Sequence, residues 1–134
     1  MNQEESGNRQ ILAYRLEQAK ETLRDAHLLL DRGGSPGGVI NRSYYAMYYA
    51  VQALLAWLGK GSSKHTGVIS MFDEDFVKSG EFPKLMSKAL HKAFDLRQMG
   101  DYRELIDLDQ EQAKEILRSA DQFVETVVKY LANK

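Results

Sequence analysis

Residues 41–58 read NRSYYAMYYAVQALLAWL, and this stretch decides the fold that the rest of the chain must complete. At 100° per residue, the helical period places one apolar stripe on a single broad side of the stretch. The members of this stripe are Ile40, Tyr44, Met47, Val51, Leu54, Leu55 and Leu58. Such a stripe is typical of a helix that packs against the core of its own domain. We therefore predict one long central helix.

The opposite side of the same helix is also poor in charge. It carries Arg42, Tyr45, Tyr49 and Gln52, with alanines around them, and Arg42 is the one charged residue between positions 41 and 58. A solvated face would be rich in Lys, Glu and Asp, so we expect this side to be covered as well. The sequence predicts that it pairs with a second copy of the chain, through close approach at Ala46, Ala53 and Ala56.

Composition narrows the class of protein. The 134 residues suit one domain with a sizeable core. A net charge of -1 gives no overall attraction to nucleic acid or anionic membrane, so any RNA contact must be a local patch. The chain has no cysteine, which excludes disulfide scaffolds and thiolate metal sites. No apolar run reaches the roughly 20 residues that span a bilayer. We expect a cytoplasmic protein without membrane contact and without a cofactor.

Turn signals and helical periodicity divide the chain into five helices. Residues 1–8 are predicted to form a flexible polar tail, and residues 9–134 a single helical domain. The helices are predicted near 9–31, 36–58, 63–78, 83–99 and 109–131. Gly33 is a C-terminal cap, Ser35 an N-cap and Pro36 a first helical residue. No stretch alternates with period two, so we predict an all-α antiparallel bundle of four long helices and one short helix.

Three pieces of the chain stand in a telling order: NRSYYAMYYA at 41–50, Lys64-His65 followed by Phe72 and Phe76, and RQMGDY at 97–102. Together they resemble the HEPN domain, and in particular its stand-alone prokaryotic branch. The resemblance covers about residues 10–132. It implies an antiparallel helical bundle that pairs as a homodimer. Many such proteins are metal-independent ribonucleases, and many are encoded beside a minimal nucleotidyltransferase as a toxin–antitoxin pair.

The family's catalytic signature is an arginine, four to six residues of any kind, and then a histidine, with two such motifs meeting across the dimer. Arginine can hold a phosphate and stabilise its developing charge, and histidine can move a proton near neutral pH. Arg42 matches the arginine, but Tyr49 stands where the closest relatives would have histidine. Tyrosine, with a pKa of about 10, is a poor base at neutral pH. The resemblance thus implies Arg42 and Tyr49 as the catalytic pair, with ribonuclease activity weak or lost.

The candidate ligand-binding residues are Asn41, Arg42, Tyr45, Tyr49, His65 and Tyr102. Each of the main candidates also has a structural interpretation. Arg42 could pair with an internal carboxylate, and the tyrosines could pack with their hydroxyls at a wet edge. We favour a helix-capping or surface role for His65, and a loop-bracing role for Tyr102. His27 and His91 have no partners at metal-ligand spacing, so no metal site is predicted.

Three functions remain open. The first is an RNA-binding or weakly ribonucleolytic, toxin-like homodimer that acts with a minimal nucleotidyltransferase. The second is a non-catalytic module that binds such a nucleotidyltransferase or another protein. The third is a binder of nucleotides or small phosphorylated ligands at the dimer cleft. The tyrosine at position 49 favours the second function over the first.

Overall fold

The computed structural model describes residues 2–100 and 108–134, and it folds them into helices arranged around α2. Helix α1 spans Gln3–Asp31, α2 Pro36–Trp57, α3 His65–Phe72, α4 Lys84–Gly100 and α5 Gln110–Ala132. The described residues contain no strand, so the all-α prediction of four long helices and one short helix is confirmed. Within these ranges no helix is both long enough and apolar enough to cross a lipid bilayer.

Helix α1 begins before its predicted start, and the prediction of a flexible tail over residues 1–8 is wrong for residues 3–8. The Asn2 side chain accepts a hydrogen bond from the Glu5 N–H at 2.7 Å, which caps the helix. Glu4 and Glu5 lie in the first turn, where negative charge interacts favourably with the helix dipole. The polar composition of this segment therefore reflects a capped helix start.

The turn between α1 and α2 follows the prediction. Gly33 has a φ of 75°, a left-handed conformation that glycine adopts without steric cost. The Ser35 Oγ accepts a hydrogen bond from the Gly38 N–H at 3.1 Å, and Pro36 is the first residue of α2. These local signals determine where the central helix begins.

The third helix is shorter than the predicted segment from Ser62 or Ser63 to Lys78. It begins at His65, because the Ser62 Oγ accepts the N–H of Lys64 at 3.2 Å and shapes the preceding turn. Beyond α3 the backbone changes to a π-helical turn over residues 73–77. The helical course is continuous, but its hydrogen-bond pattern changes where the chain approaches α4.

Asp73, at the start of the π-helical turn, ties that turn to α4. Its carboxylate accepts a hydrogen bond from the Ser87 Oγ at 2.7 Å and lies 2.6 Å from Nε2 of His91. Asp109 caps α5 as predicted, accepting the Gln112 N–H at 2.8 Å, and the Gln112 side chain accepts the Asp109 N–H at 3.0 Å. This reciprocal pair fixes the start of the last helix.

The core stripe predicted for α2 is confirmed except at its end. Ile40, Tyr44, Met47, Val51, Leu54 and Leu55 are all buried, but Leu58 is 39% exposed. Leu58 follows the last residue of α2, and the next residue, Gly59, turns the chain with a φ of 71°. The helical stripe therefore stops one turn earlier than the sequence predicts.

The prediction that Ala46, Ala53 and Ala56 face a second copy is wrong. Ala46 and Ala53 are fully buried within a single chain, and Ala56 is 6% exposed. Helix α1 makes the most extensive contact with α2, and its own buried residues are also small: Ala19, Thr22 and Ala26. The small side chains thus allow close packing between two helices of the same chain.

Trp57, the last residue of α2, contacts the C-terminal helix. Its ring lies edge-on to Tyr130, with centroids 5.7 Å apart, and the Lys134 Nζ lies 5.4 Å from its centroid. Tyr130 in turn meets the rings of Phe76 and Phe82. An aromatic cluster therefore joins the end of α2 to the end of α5.

Candidate functional site

Helix α2 is buried on nearly all sides, and the part that remains accessible is narrow. We call this part the open strip of α2, and its members are half-buried: Asn41, Arg42, Tyr45, Tyr49 and Gln52. Since the helical period brings these positions to one side, they form a continuous line along the helix. Four of the predicted ligand-binding residues therefore share one accessible surface.

Arg42 is oriented by its neighbours on α2. Its Nε and Nη2 donate to the Asn41 Oδ1 at 3.1 and 2.9 Å, and its Cζ lies 5.2 Å from the Tyr45 ring centroid. Among the described residues, no carboxylate lies within ion-pair distance of Arg42. The predicted alternative of an internal carboxylate partner therefore finds no support in the described part of the chain.

Arg97 of α4 brings a second guanidinium to the same ring. Its Cζ lies 5.1 Å from the Tyr45 centroid and 5.7 Å from the Tyr44 centroid. Arg97 begins the RQMGDY piece at 97–102, but it was not predicted as a site residue. Its place in that piece of the family resemblance was the signal that could have identified it. Two cationic groups from different helices thus converge on Tyr45.

His65 lies in this cluster, and the prediction that it caps a helix is wrong. The N-cap of α3 is Lys64, without a side-chain hydrogen bond. The His65 ring is half-buried and stacks on Tyr48, with centroids 4.1 Å apart. It lies edge-on to Tyr45, with centroids 5.6 Å apart, and its Nδ1 is 2.7 Å from the Tyr44 hydroxyl. The start of α3 therefore places an imidazole beside the open strip.

The surroundings of His65 favour its neutral form. Burial lowers the pKa of the imidazole, and the positive charge of Arg97 lowers it further. Burial also raises the pKa of the Tyr44 hydroxyl well above its usual range, so this hydroxyl stays protonated at neutral pH. The Nε2 of His65 makes no hydrogen bond to a described residue. A neutral imidazole with one nitrogen held by Tyr44 can exchange a proton or a hydrogen bond through the other.

Tyr49 lies at the other end of the aromatic row. Its ring centroid is 5.8 Å from that of Tyr45 and 6.1 Å from that of Tyr48. Neither a hydrogen bond nor a cation–π contact joins it to Arg42 in the described part of the chain. Tyr45 therefore separates the two residues predicted as the catalytic pair. Tyr102, the remaining candidate, lies outside the described residues.

The described residues hold no group of three or more His, Cys, Asp or Glu side chains that could bind a metal ion. The other two histidines lie away from the open strip in pairs with carboxylates. The Nε2 of His27 lies 2.8 Å from the Asp121 Oδ1, and the Nε2 of His91 lies 2.6 Å from the Asp73 Oδ2. The chemistry available at the open strip is therefore that of guanidinium, imidazole and phenol groups.

Comparison with known proteins adds a family. The model of the HEPN domain matches residues 12–131. A UPF0332 protein of Thermotoga maritima is 37% identical over 131 residues, which cover 98% of this chain and 96% of the relative. Two proteins of Methanocaldococcus jannaschii, each named "Putative toxin", are 34% and 32% identical. The first match covers 71% of this chain and 65% of the relative, and the second covers 87% and 85%. With the family model matched over nearly its whole length, this chain belongs to the HEPN domain family.

Proposed function

We propose that this chain is an RNA-binding, toxin-like HEPN protein that holds an RNA phosphate with Arg42 and Arg97. One observation carries the proposal: the two guanidinium groups lie 5.2 and 5.1 Å from the same Tyr45 ring centroid. Guanidinium groups bind phosphate through paired hydrogen bonds, and aromatic rings stack on nucleobases. Arginine–tyrosine stacking also keeps both guanidiniums in place before a ligand arrives.

In this proposal His65, rather than Tyr49, transfers the proton. The imidazole takes the proton of a ribose 2′ hydroxyl, whose oxygen attacks the adjacent phosphorus while the 5′ oxygen leaves and gains a proton. General acid–base help of this kind contributes roughly 10²–10⁴ in rate when the pKa is near the working pH. Because Tyr49 stands in the place of the motif histidine, cleavage is slow in this proposal and RNA binding is the stronger activity.

The proposal includes a homodimer and a small nucleotidyltransferase as partner, both of which the resemblance implies. The buried alanines of α2 cannot form the dimer contact. Large apolar side chains remain exposed on α1, where Ile11 is 51% and Tyr14 is 61% accessible. These two positions are three residues apart and share a helix face, which suits a contact with another protein. Glutamate at Tyr14 is expected to convert a dimer to folded monomers in light scattering.

A second candidate function is a non-catalytic partner module. It is favoured by Tyr49, which occupies the place of the motif histidine, and by the exposed apolar residues of α1. Under this alternative the protein binds the nucleotidyltransferase with the α1 surface, and changes at the open strip leave its RNA affinity unchanged.

The experiment that separates the candidates measures RNA affinity by fluorescence anisotropy with the full chain. The probe is a labelled single-stranded RNA whose 2′-O-methyl groups prevent cleavage. Arg42→Ala and Arg97→Ala are each expected to weaken binding by about tenfold or more, the value of a charge-assisted hydrogen bond. Arg24→Ala is the matched control, because Arg24 is an exposed arginine of α1 that pairs with Glu17.

The outcome that contradicts the proposal is equal RNA affinity in the wild type, Arg42→Ala and Arg97→Ala. Circular dichroism melting checks that each variant is folded. A large loss of melting temperature in Arg42→Ala together with unchanged affinity would assign Arg42 to folding.

A further inference from the structure

A cavity lies beyond Gln52, at the end of the open strip farthest from Arg42. It encloses about 320 Å³ between α1, the end of α2 and the turn that precedes α3. Its polar lining residues include Arg15, Gln52 and Lys60, and its apolar lining includes Ile11, Leu55 and Val68. A cavity of this size, lined by both polar and apolar residues, suits a flat heteroaromatic ligand with polar edges, such as a nucleobase.

The cavity and the open strip are continuous, because Gln52 belongs to both. Gln52 lies ten residues beyond Arg42 on α2, which places the two about 15 Å apart along the helix. The rings of Tyr45 and Tyr49 lie between them, with centroids 5.8 Å apart. Aromatic rings in a groove with cationic groups at its ends are typical of sites that bind single-stranded nucleic acid.

The cation of this cavity is Arg15. Its Nη1 donates to the Gln18 Oε1 at 2.7 Å, and no described carboxylate lies within ion-pair distance of it. Its charge also acts on Tyr48, whose ring contacts Tyr45 and Tyr49 of the open strip, since it offsets part of the rise that burial causes in the pKa of the Tyr48 hydroxyl. The Lys60 Nζ lies 3.1 Å from the Asp75 Oδ2, so the charge of Lys60 is partly neutralised. Arg15 is therefore the group most available to a phosphate or to a base.

We infer that this cavity holds a nucleobase of a single-stranded RNA whose phosphate lies at Arg42 and Arg97. The site then selects an oligonucleotide over a mononucleotide, because one nucleotide is shorter than the roughly 15 Å that separate Arg42 from Gln52 along α2. This inference rests on the proposed function of the Arg42 end, and it adds the length and the single-stranded form of the ligand.

The test compares two ligands on the full chain: a 2′-O-methyl single-stranded hexamer and uridine monophosphate. Arg15→Ala is expected to weaken hexamer binding by about tenfold and to leave uridine monophosphate binding unchanged. Gln52→Met keeps the shape of the side chain and is expected to weaken the hexamer alone. This change preserves the fold, since the Gln52 Oε1 has no hydrogen-bond partner among the described residues. Arg24→Ala on the same helix is the matched control.

Three results would overturn the inference. If Arg15→Ala and Gln52→Met bind the hexamer like the wild type while Arg97→Ala does not, the cavity is no base site but the proposed function stands. If the wild type binds neither ligand, both proposals fail. If Arg15→Ala changes the oligomeric state in light scattering and leaves hexamer affinity unchanged, the cavity belongs to a contact between two copies.

Discussion

The Tyr44 hydroxyl lies 2.7 Å from Nδ1 of His65, although 21 residues separate the two in the chain. The His65 ring is almost parallel to that of Tyr48, with an angle of 8° between their planes. One hydrogen bond and one stacking contact thus hold the imidazole in a single orientation. The protein itself, rather than a ligand, positions the titratable group of the open strip.

Removal of the Arg97 charge should raise the pKa of His65. Burial and Arg97 both lower this pKa, so Arg97→Met removes the second cause and leaves the first. The pKa should therefore increase but remain below the ordinary value of about 6.5. A proton NMR titration of the imidazole measures it, with Arg24→Met as the control. An unchanged or lower pKa in Arg97→Met would show that the charge of Arg97 does not act on His65.

His65 should make the protein less stable in mild acid. Its folded-state pKa is lowered, so below about pH 6.5 the unfolded chain binds the proton more readily than the folded chain. The neutral imidazole makes its whole contribution to the free energy of unfolding above that pH. This contribution is lost as the pH falls through the pKa of the folded state. Urea unfolding at about pH 7.5 and 5.5 should show a larger loss for the wild type than for His65→Gln. Equal losses would contradict the assignment.

A histidine at position 49 should increase ribonuclease activity. Tyr49→His supplies a group with a pKa of about 6.5, so the gain should depend on pH around that value. The upper bound for such a gain is roughly 10²–10⁴ in rate. Hydrolysis of labelled RNA measures it, and the double change Arg42→Ala with Tyr49→His should lose the gain. No gain in a folded Tyr49→His protein would contradict this prediction and would leave the proton transfer with His65 alone.

A charge at position 53 should unfold the protein rather than separate two copies. Ala53 is fully buried within one chain, so Ala53→Glu buries an unpaired carboxylate at a cost of several kcal/mol. Ala13→Glu, at an exposed position of α1, is the control and should melt like the wild type. Circular dichroism and light scattering together measure the result. A folded monomeric Ala53→Glu protein would restore the seam that the sequence predicts.

Local signals explain why much of the fold was predictable. Ser35, Pro36 and Asp109 each act on the backbone within three residues, so their effect does not depend on the rest of the structure. Asn2 acts in the same way, but the residues that follow it are polar, so the sequence did not indicate that a helix begins there. The predicted start of the third helix was wrong, because the Ser62 Oγ accepts the Lys64 N–H in the preceding turn instead of capping the helix.

The candidate site was only partly predictable, because periodicity gives the side of a helix but not the neighbour that covers it. Ala53 and Tyr49 lie on one broad side of α2, yet the fold buries the first and leaves the second accessible. His65 and Arg97 reach Tyr45 from other helices, so their contact depends on tertiary packing. No spacing within one helix could have paired them.

Trp57 is the only tryptophan of the chain, and it lies where the end of α2 meets Tyr130 of α5. Its emission therefore reports on the docking of the last helix, with the Lys134 ammonium close to the ring as a cationic neighbour. Arg42, near the opposite end of α2, is about 22 Å away along the helix axis. Tryptophan fluorescence can thus follow release of the C-terminal helix, while a dye on added RNA follows binding at the open strip. One sample can then show whether the two ends of α2 respond together.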